Sequence, residues 1–230
     1  MRNRRLKLLL PVCGVLLCAV VHWAASPGEP RYRGRHISAW LENYPRLKQV
    51  DWRESEAALR AVGTNGIPYI FQELRRRDSF VESMRAKLWF NGPIWVKSLV
   101  GPPKPRFDVS YVPEVFTVIG PASIPALRVA LTDRNDSVRL AAITALGEFG
   151  PRAEDAIPAF IEALEDKNER VRLAAMRALG TFGPKANAAL PALNRLLAQT
   201  QLPRDRYQVY VITNSIARIN PEAVSKPGLE

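Results

Sequence analysis

Apolar positions in the second half of the chain recur at the spacing of one helix face, and the whole pattern then repeats. Ala156, Phe160, Ile161 and Leu164 mark a first helix, with Pro158 near its start, where a missing N–H costs nothing. A polar turn follows, Asp166-Lys167-Asn168-Glu169. Val171, Ala174, Ala175, Ala178 and Leu179 mark a second helix, whose small alanines favour close approach of helix axes. Gly180 and the Gly183-Pro184 pair predict its end, glycine taking a left-handed cap and proline forbidding continuation.

The unit returns at a step of 33 residues. Ile124-Pro125-Ala126-Leu127 recurs as Ile157-Pro158-Ala159-Phe160 and as Leu190-Pro191-Ala192-Leu193. Over the same step, Asp133 with Val138-Arg139-Leu140-Ala141-Ala142 becomes Asp166 with Val171-Arg172-Leu173-Ala174-Ala175. Self-similarity at this length predicts a solenoid, in which no unit buries its apolar face alone and stacking supplies the core. The fold class expected is all-α, a right-handed α-α superhelix.

Upstream the pattern weakens. Ala57-Ala58-Leu59-Arg60-Ala61-Val62-Gly63 with Ile67-Pro68 matches a helix end and the start of the next helix. From Ile67 to Ile124 is 57 residues, so about 24 are inserted relative to the 33-residue step. The insertion holds Trp89, Phe90 and Trp95 beside Lys87 and Lys97. Read as packing, the segment from Ser79 to Phe90 is the second helix of the first repeat and its aromatics fill the end of the core; read as function, the aromatics are a hook for a partner or a membrane interface. Tyr32-Arg33-Gly34-Arg35 with Ile37 to Leu41 reads as an N-terminal capping helix, and Arg206 to Ile219 as an atypical last helix.

The N-terminus is an address. Arg2, Arg4, Arg5 and Lys7 precede an uncharged stretch of 18 residues, Leu8 to Ala25. Such a segment is a secretory signal or an uncleaved anchor: at about 1.5 Å per residue it covers about 27 Å, close to the hydrocarbon thickness. Its cations place the following chain outside the cytoplasm. The organisation expected is a signal or anchor over 1–26, a linker over 27–36, a cap helix with a divergent repeat and the aromatic insertion over 37–110, repeats over 111–219, and a flexible tail over 220–230.

Charge adds little to this picture. The net charge is +11, from 33 basic and 22 acidic residues; without the four cations of the leader it is +7. The basic residues are dispersed, and the one tight run, Arg75-Arg76-Arg77, reads as a solvated helix face. Cys13 and Cys18 both lie in the leader, so the body has no disulfide framework.

The turn-and-helix text "LTDRNDSVRLAAITALGEFGP" and its copy "LEDKNERVRLAAMRALGTFGP" resemble HEAT repeats of the bacterial kind, similar to those of phycobilin-lyase-like proteins. The whole layout resembles an exported HEAT-repeat family of environmental bacteria. The resemblance implies that Asp133, Arg139, Asp166 and Arg172 form a structural ladder between neighbouring repeats. It also implies a concave face lined by the second helices, where Thr144, Glu148, Arg177 and Thr181 stand off the apolar stripe as partner-binding candidates, together with Trp89, Phe90 and Trp95 of the insertion.

Catalytic chemistry is poorly supplied. The only histidines are His22, in the leader, and His36, beside Arg35, a poor setting for a general base. No P-loop or GxGxxG occurs, and no cofactor or metal site is expected. The expectation is a non-enzymatic scaffold of the cell envelope whose partner is another protein and whose leader meets the membrane. A nucleic-acid-binding HEAT-like protein and a lyase-related HEAT enzyme are the alternatives, and the leader argues against nucleic acid.

Overall fold

The structure is a computed structural model that describes residues 28–43, 52–77, 79–101, 109–200 and 205–224. Residues 1–26, read from the sequence as a signal or anchor, lie outside the described residues, and so do Cys13, Cys18 and His22.

Five helices stack side by side as one layer: α2 (Trp52–Val62), α6 (Val112–Ile119), α8 (Asp136–Phe149), α10 (Glu169–Phe182) and α12 (Arg206–Ile219). Three helices of the other layer, α7 (Ile124–Ala130), α9 (Ile157–Ala163) and α11 (Leu190–Gln199), each pack on the second helix that follows them. Each begins with Ile-Pro or Leu-Pro, so proline occupies the first turn, where its missing donor would have no partner. Val138, Ala141, Ala142, Ala145 and Leu146 of α8 are fully buried, as are Ala175 and Leu179 of α10 and Leu127, Phe160 and Leu193 of the first helices. Phe160 meets Phe182 with ring centroids 5.6 Å apart, closing the core of one repeat.

Helix ends follow local chemistry. Asn135 and Asn168 are the N-caps of α8 and α10; the Asn135 side chain accepts from the Val138 amide at 3.0 Å and that of Asn168 from the Arg170 amide at 2.9 Å. Gly183 ends α10 with φ 57° and ψ −138°, a region that a Cβ disfavours. Gly180 does not end the helix, against the sequence reading. It is buried in the last turn, and a Cβ there would lie 3.2 Å from Cα of Ser215 in α12, so its lack of a side chain sets the approach of α10 and α12. The gap is sealed by the Ser215 hydroxyl, which donates to the Met176 carbonyl at 2.7 Å.

The first repeat departs from expectation. Its helix α3 (Ile67–Arg77) is followed by α4 (Phe80–Asn91) and α5 (Ile94–Val100), and neither α4 nor α5 buries a single residue. The second-helix place belongs to α6, whose Val112, Val115 and Phe116 are fully buried, with Phe116 5.8 Å from Phe71 of α3. The core is therefore filled before α4 reaches it, and the Ser79–Phe90 aromatics do not complete it.

The N-terminal opener is not helical at Tyr32–Arg35. Arg31–Tyr32 (β1) and Arg35–His36 (β2) pair antiparallel around Arg33 and Gly34, both at positive φ, as a tight hairpin turn demands. Part of the segment read as a linker is thus a hairpin on the end of the stack, Tyr32 packing edge-on against Trp40 of α1 (Ile37–Asn43) at 5.9 Å. At the other end, residues 221–224 of the expected flexible tail form a short helix, α13 (Pro221–Val224), that packs on α12.

Candidate interaction surface

Repeats are joined by a ladder of charged side chains in the turns between first and second helices. Asp133 and Asp166 each accept the amide two residues on, from Asn135 at 2.9 Å and from Asn168 at 2.8 Å, and so hold the turns shut. Arg139 reaches across to Asp166 with two bonds, Nε at 2.7 Å and a terminal nitrogen at 2.8 Å, and its other terminal nitrogen returns to the Asp133 and Arg134 carbonyls. Only about a tenth of either side chain is exposed, 8% for Arg139 and 11% for Asp166, so this rung is shielded from solvent.

Burial pushes the Asp166 carboxyl upward, but the hydrogen bonds from Arg139 and the Asn168 amide and the charge of Arg139 outweigh it and hold the group below the usual carboxylate range. Burial likewise pushes Asp133 upward, and Arg75, the Asn135 amide and Arg139 pull it down further. Hydrogen bonding to Asp166 raises Arg139. Asp133, Arg139 and Asp166 are thus tied to turn geometry and to a neighbouring charge, whereas Arg172, expected on the ladder between repeats, folds back on its own turn and donates to the Asp166 carbonyl at 2.8 Å and to that of Lys167 at 3.3 Å.

The first rung lay outside the sequence reading. Arg75, at the end of α3, donates to Asp133 at 2.5 Å, while Arg76 pairs with Glu73. The arginine run is thus not merely a solvated face: Arg75 takes the place that a second-helix arginine fills one repeat later, since α6 carries none. Other charges also bridge turns and repeats, Arg128 to Asp155 at 3.5 Å, Lys185 to Glu154, and Arg195 to Glu165 at 3.9 Å.

The partner-binding candidates fall on two elements. On the second-helix layer, Glu148, Arg177 and Thr181 are exposed and Thr144 is half-buried. The Thr144 hydroxyl donates to the Leu140 carbonyl at 2.9 Å, and that of Thr181 to the Ala178 carbonyl at 2.6 Å, so both largely serve their own helices. Arg177 lies over the ring of Tyr207, 5.5 Å from its centroid, and Tyr207 and Tyr210 are exposed beside it on α12. This arginine–tyrosine group joins two successive repeats. Tyr207 was legible as part of the last helix but not as a surface group, because the repeat pattern breaks there. Nearby, Asp136, Ser137, Leu140, Asn168 and Arg170 line an open polar pocket of about 370 Å³ between α8 and α10. On the insertion, Phe90 and Trp95 are exposed and Trp89 is half-buried.

Among the described residues no group of histidine, cysteine and acidic side chains has metal-site geometry. His36 stands 3.3 Å from Glu29, whose carboxylate also accepts the Ser38 amide at the start of α1. Among the described residues no helix is long and apolar enough to cross a membrane.

No curated protein matches the chain. Residues 124–212, from the start of α7 to the middle of α12, match the family model described as HEAT repeats. That match lies over the paired helices and the shielded Arg139–Asp166 rung: the chain is an all-α solenoid whose residues 124–212 are similar to HEAT repeats.

Proposed function

We propose that this solenoid is a non-enzymatic scaffold of the cell envelope that binds another exported protein through the second-helix layer around Arg177, Tyr207 and Tyr210. HEAT repeats commonly mediate protein interactions, and stacked helices give the extended surface such binding uses. One observation carries the choice of face: an exposed arginine held over one exposed tyrosine, with a second tyrosine beside it. Arginine and tyrosine dominate the energetics of protein–protein contacts, because each offers a large, partly preorganised surface with a polar end. The envelope location rests on the basic start and uncharged stretch of residues 1–26. Arg75, Arg128, Arg139, Lys185 and Arg195 each pair with an acid of a neighbouring element, so these five cations do not form a free phosphate-binding stripe.

Cell fractionation of a C-terminally tagged chain, with protease added to intact and permeabilised cells, tests the location. The tag is expected outside the cytoplasm. A protease-protected tag in the cytosolic fraction would remove the envelope role and make steeply salt-dependent nucleic-acid binding by the chain the competing account.

A further inference from the structure

We propose that the α4–α5 hairpin seats the solenoid on an anionic lipid surface. A surface helix of a globular protein ordinarily turns its apolar stripe to the core. Helix α4 does the opposite. Phe80, Met84 and Leu88 fall at intervals of four, on one helix face, and are 76%, 40% and 43% exposed. Its half-buried positions are Glu82, Ser83, Arg85, Ala86 and Trp89. Ile94, Trp95 and Leu99 of α5 are exposed as well, at 85%, 68% and 80%. With Val81 and Phe90 also exposed, one short hairpin presents eight large apolar side chains, an exposed patch of the kind that marks an interaction site.

Charge selects the occupant. Across the described residues 79–101 the hairpin holds Arg85, Lys87 and Lys97 against one acid, Glu82. That acid lies 3.6 Å from Arg85, whose Nε donates to the Val100 carbonyl at 2.9 Å and pins the end of α5 to α4. The hairpin therefore holds its own shape and offers aliphatic and aromatic side chains flanked by lysines, the composition that enters the headgroup–acyl boundary of a bilayer with negative charge. A two-fold contact with a second copy would set this basic segment against itself, which like-charge repulsion opposes. Attachment through residues 1–26 would hold the hairpin near such a surface, and in this respect the inference rests on the proposed envelope location.

The test is spin-label immersion in the full chain. Leu88→Cys, Leu99→Cys and, as a reference on the second-helix layer, Glu148→Cys are each labelled in a Cys13→Ala, Cys18→Ala background. The proteins are mixed with phosphatidylcholine–phosphatidylglycerol vesicles. Labels at 88 and 99 are expected to shift towards oxygen accessibility and away from an aqueous nickel complex, while the label at 148 stays aqueous. Leu88→Glu should abolish the shift read at 99. Vesicle-bound protein whose labels at 88 and 99 remain as aqueous as that at 148 would overturn the hairpin's role and leave the N-terminal attachment standing. Protection from both reagents would mean that a protein surface covers the hairpin, and would also overturn it. Protein that does not bind vesicles at all would count against the N-terminal attachment and the hairpin together. Matching thermal unfolding of variants and parent shows that the labels report on an intact fold.

Discussion

Replacing Asp166 by alanine should destabilise the chain far more than replacing Asp133, although the two occupy the same position in successive repeats. Both substitutions remove an acceptor for a turn amide, a loss of about 1 kcal/mol. They differ in the cation left behind. Arg139 is 8% exposed and loses two charge-assisted bonds, whereas Arg75 is 50% exposed and returns to solvent. Breaking a buried pair by removing one partner costs about 3–5 kcal/mol, while exposed pairs contribute about 0–1 kcal/mol. Arg139 keeps its bonds to the Asp133 and Arg134 carbonyls, so the low end of the first range applies. The expected losses are about 3–4 kcal/mol for Asp166→Ala and about 1–2 kcal/mol for Asp133→Ala. Urea unfolding followed by circular dichroism measures both; with a slope of about 2 kcal/mol per molar, the midpoints should differ by about 1 M. Equal losses, or a loss below about 1 kcal/mol for Asp166→Ala, would refute the claim that a shielded ladder couples the repeats.

The Asp166 carboxyl, held below its ordinary value of 3.8, contributes stability that is fully present above the unfolded value and lost as pH falls through the lower folded one; the gap between parent and Asp166→Ala in denaturant titrations should therefore close progressively below about pH 4. Gly183→Ala forces a Cβ into φ 57° and should lower stability by about 1–2 kcal/mol in the same titrations. Leu99→Glu, at a side chain 80% exposed, should leave the thermal midpoint unchanged, whereas Phe160→Ala opens the core and should cost about 3–5 kcal/mol.

The regular repeats were legible because their signals are local: proline in the first turn, a polar turn, an alanine-rich stripe, and a glycine–proline stop recurring every 33 residues. Two glycines three residues apart hid their different tasks. A sequence does not distinguish a glycine that caps a helix from one that admits a neighbour, and Gly180 proved to be the second kind because Ser215 packs against it. Arg75 was illegible as a rung because it lies 58 residues from Asp133, outside the repeat step, and belongs to a first helix. The insertion misled for a related reason. Aromatic residues at helical spacing ordinarily mean core, but that place was already filled by Val112, Val115 and Phe116 from beyond the insertion. The surface group at Arg177 was half legible: the arginine stood off the apolar stripe, but its ring partner comes from an atypical last repeat.

The central claim, that the second-helix layer is a protein-binding face, is tested most directly by photo-crosslinking in cells. A benzophenone amino acid placed at position 177 or 210 samples that face, and one at position 195 on α11, where Arg195 is exposed, samples the other layer. Discrete adducts with an exported protein from 177 and 210, weakened by Tyr207→Ala and missing from 195, are the predicted result. Adducts equally strong from 195, or none from 177 and 210 while the protein is folded and present in the envelope, would contradict it.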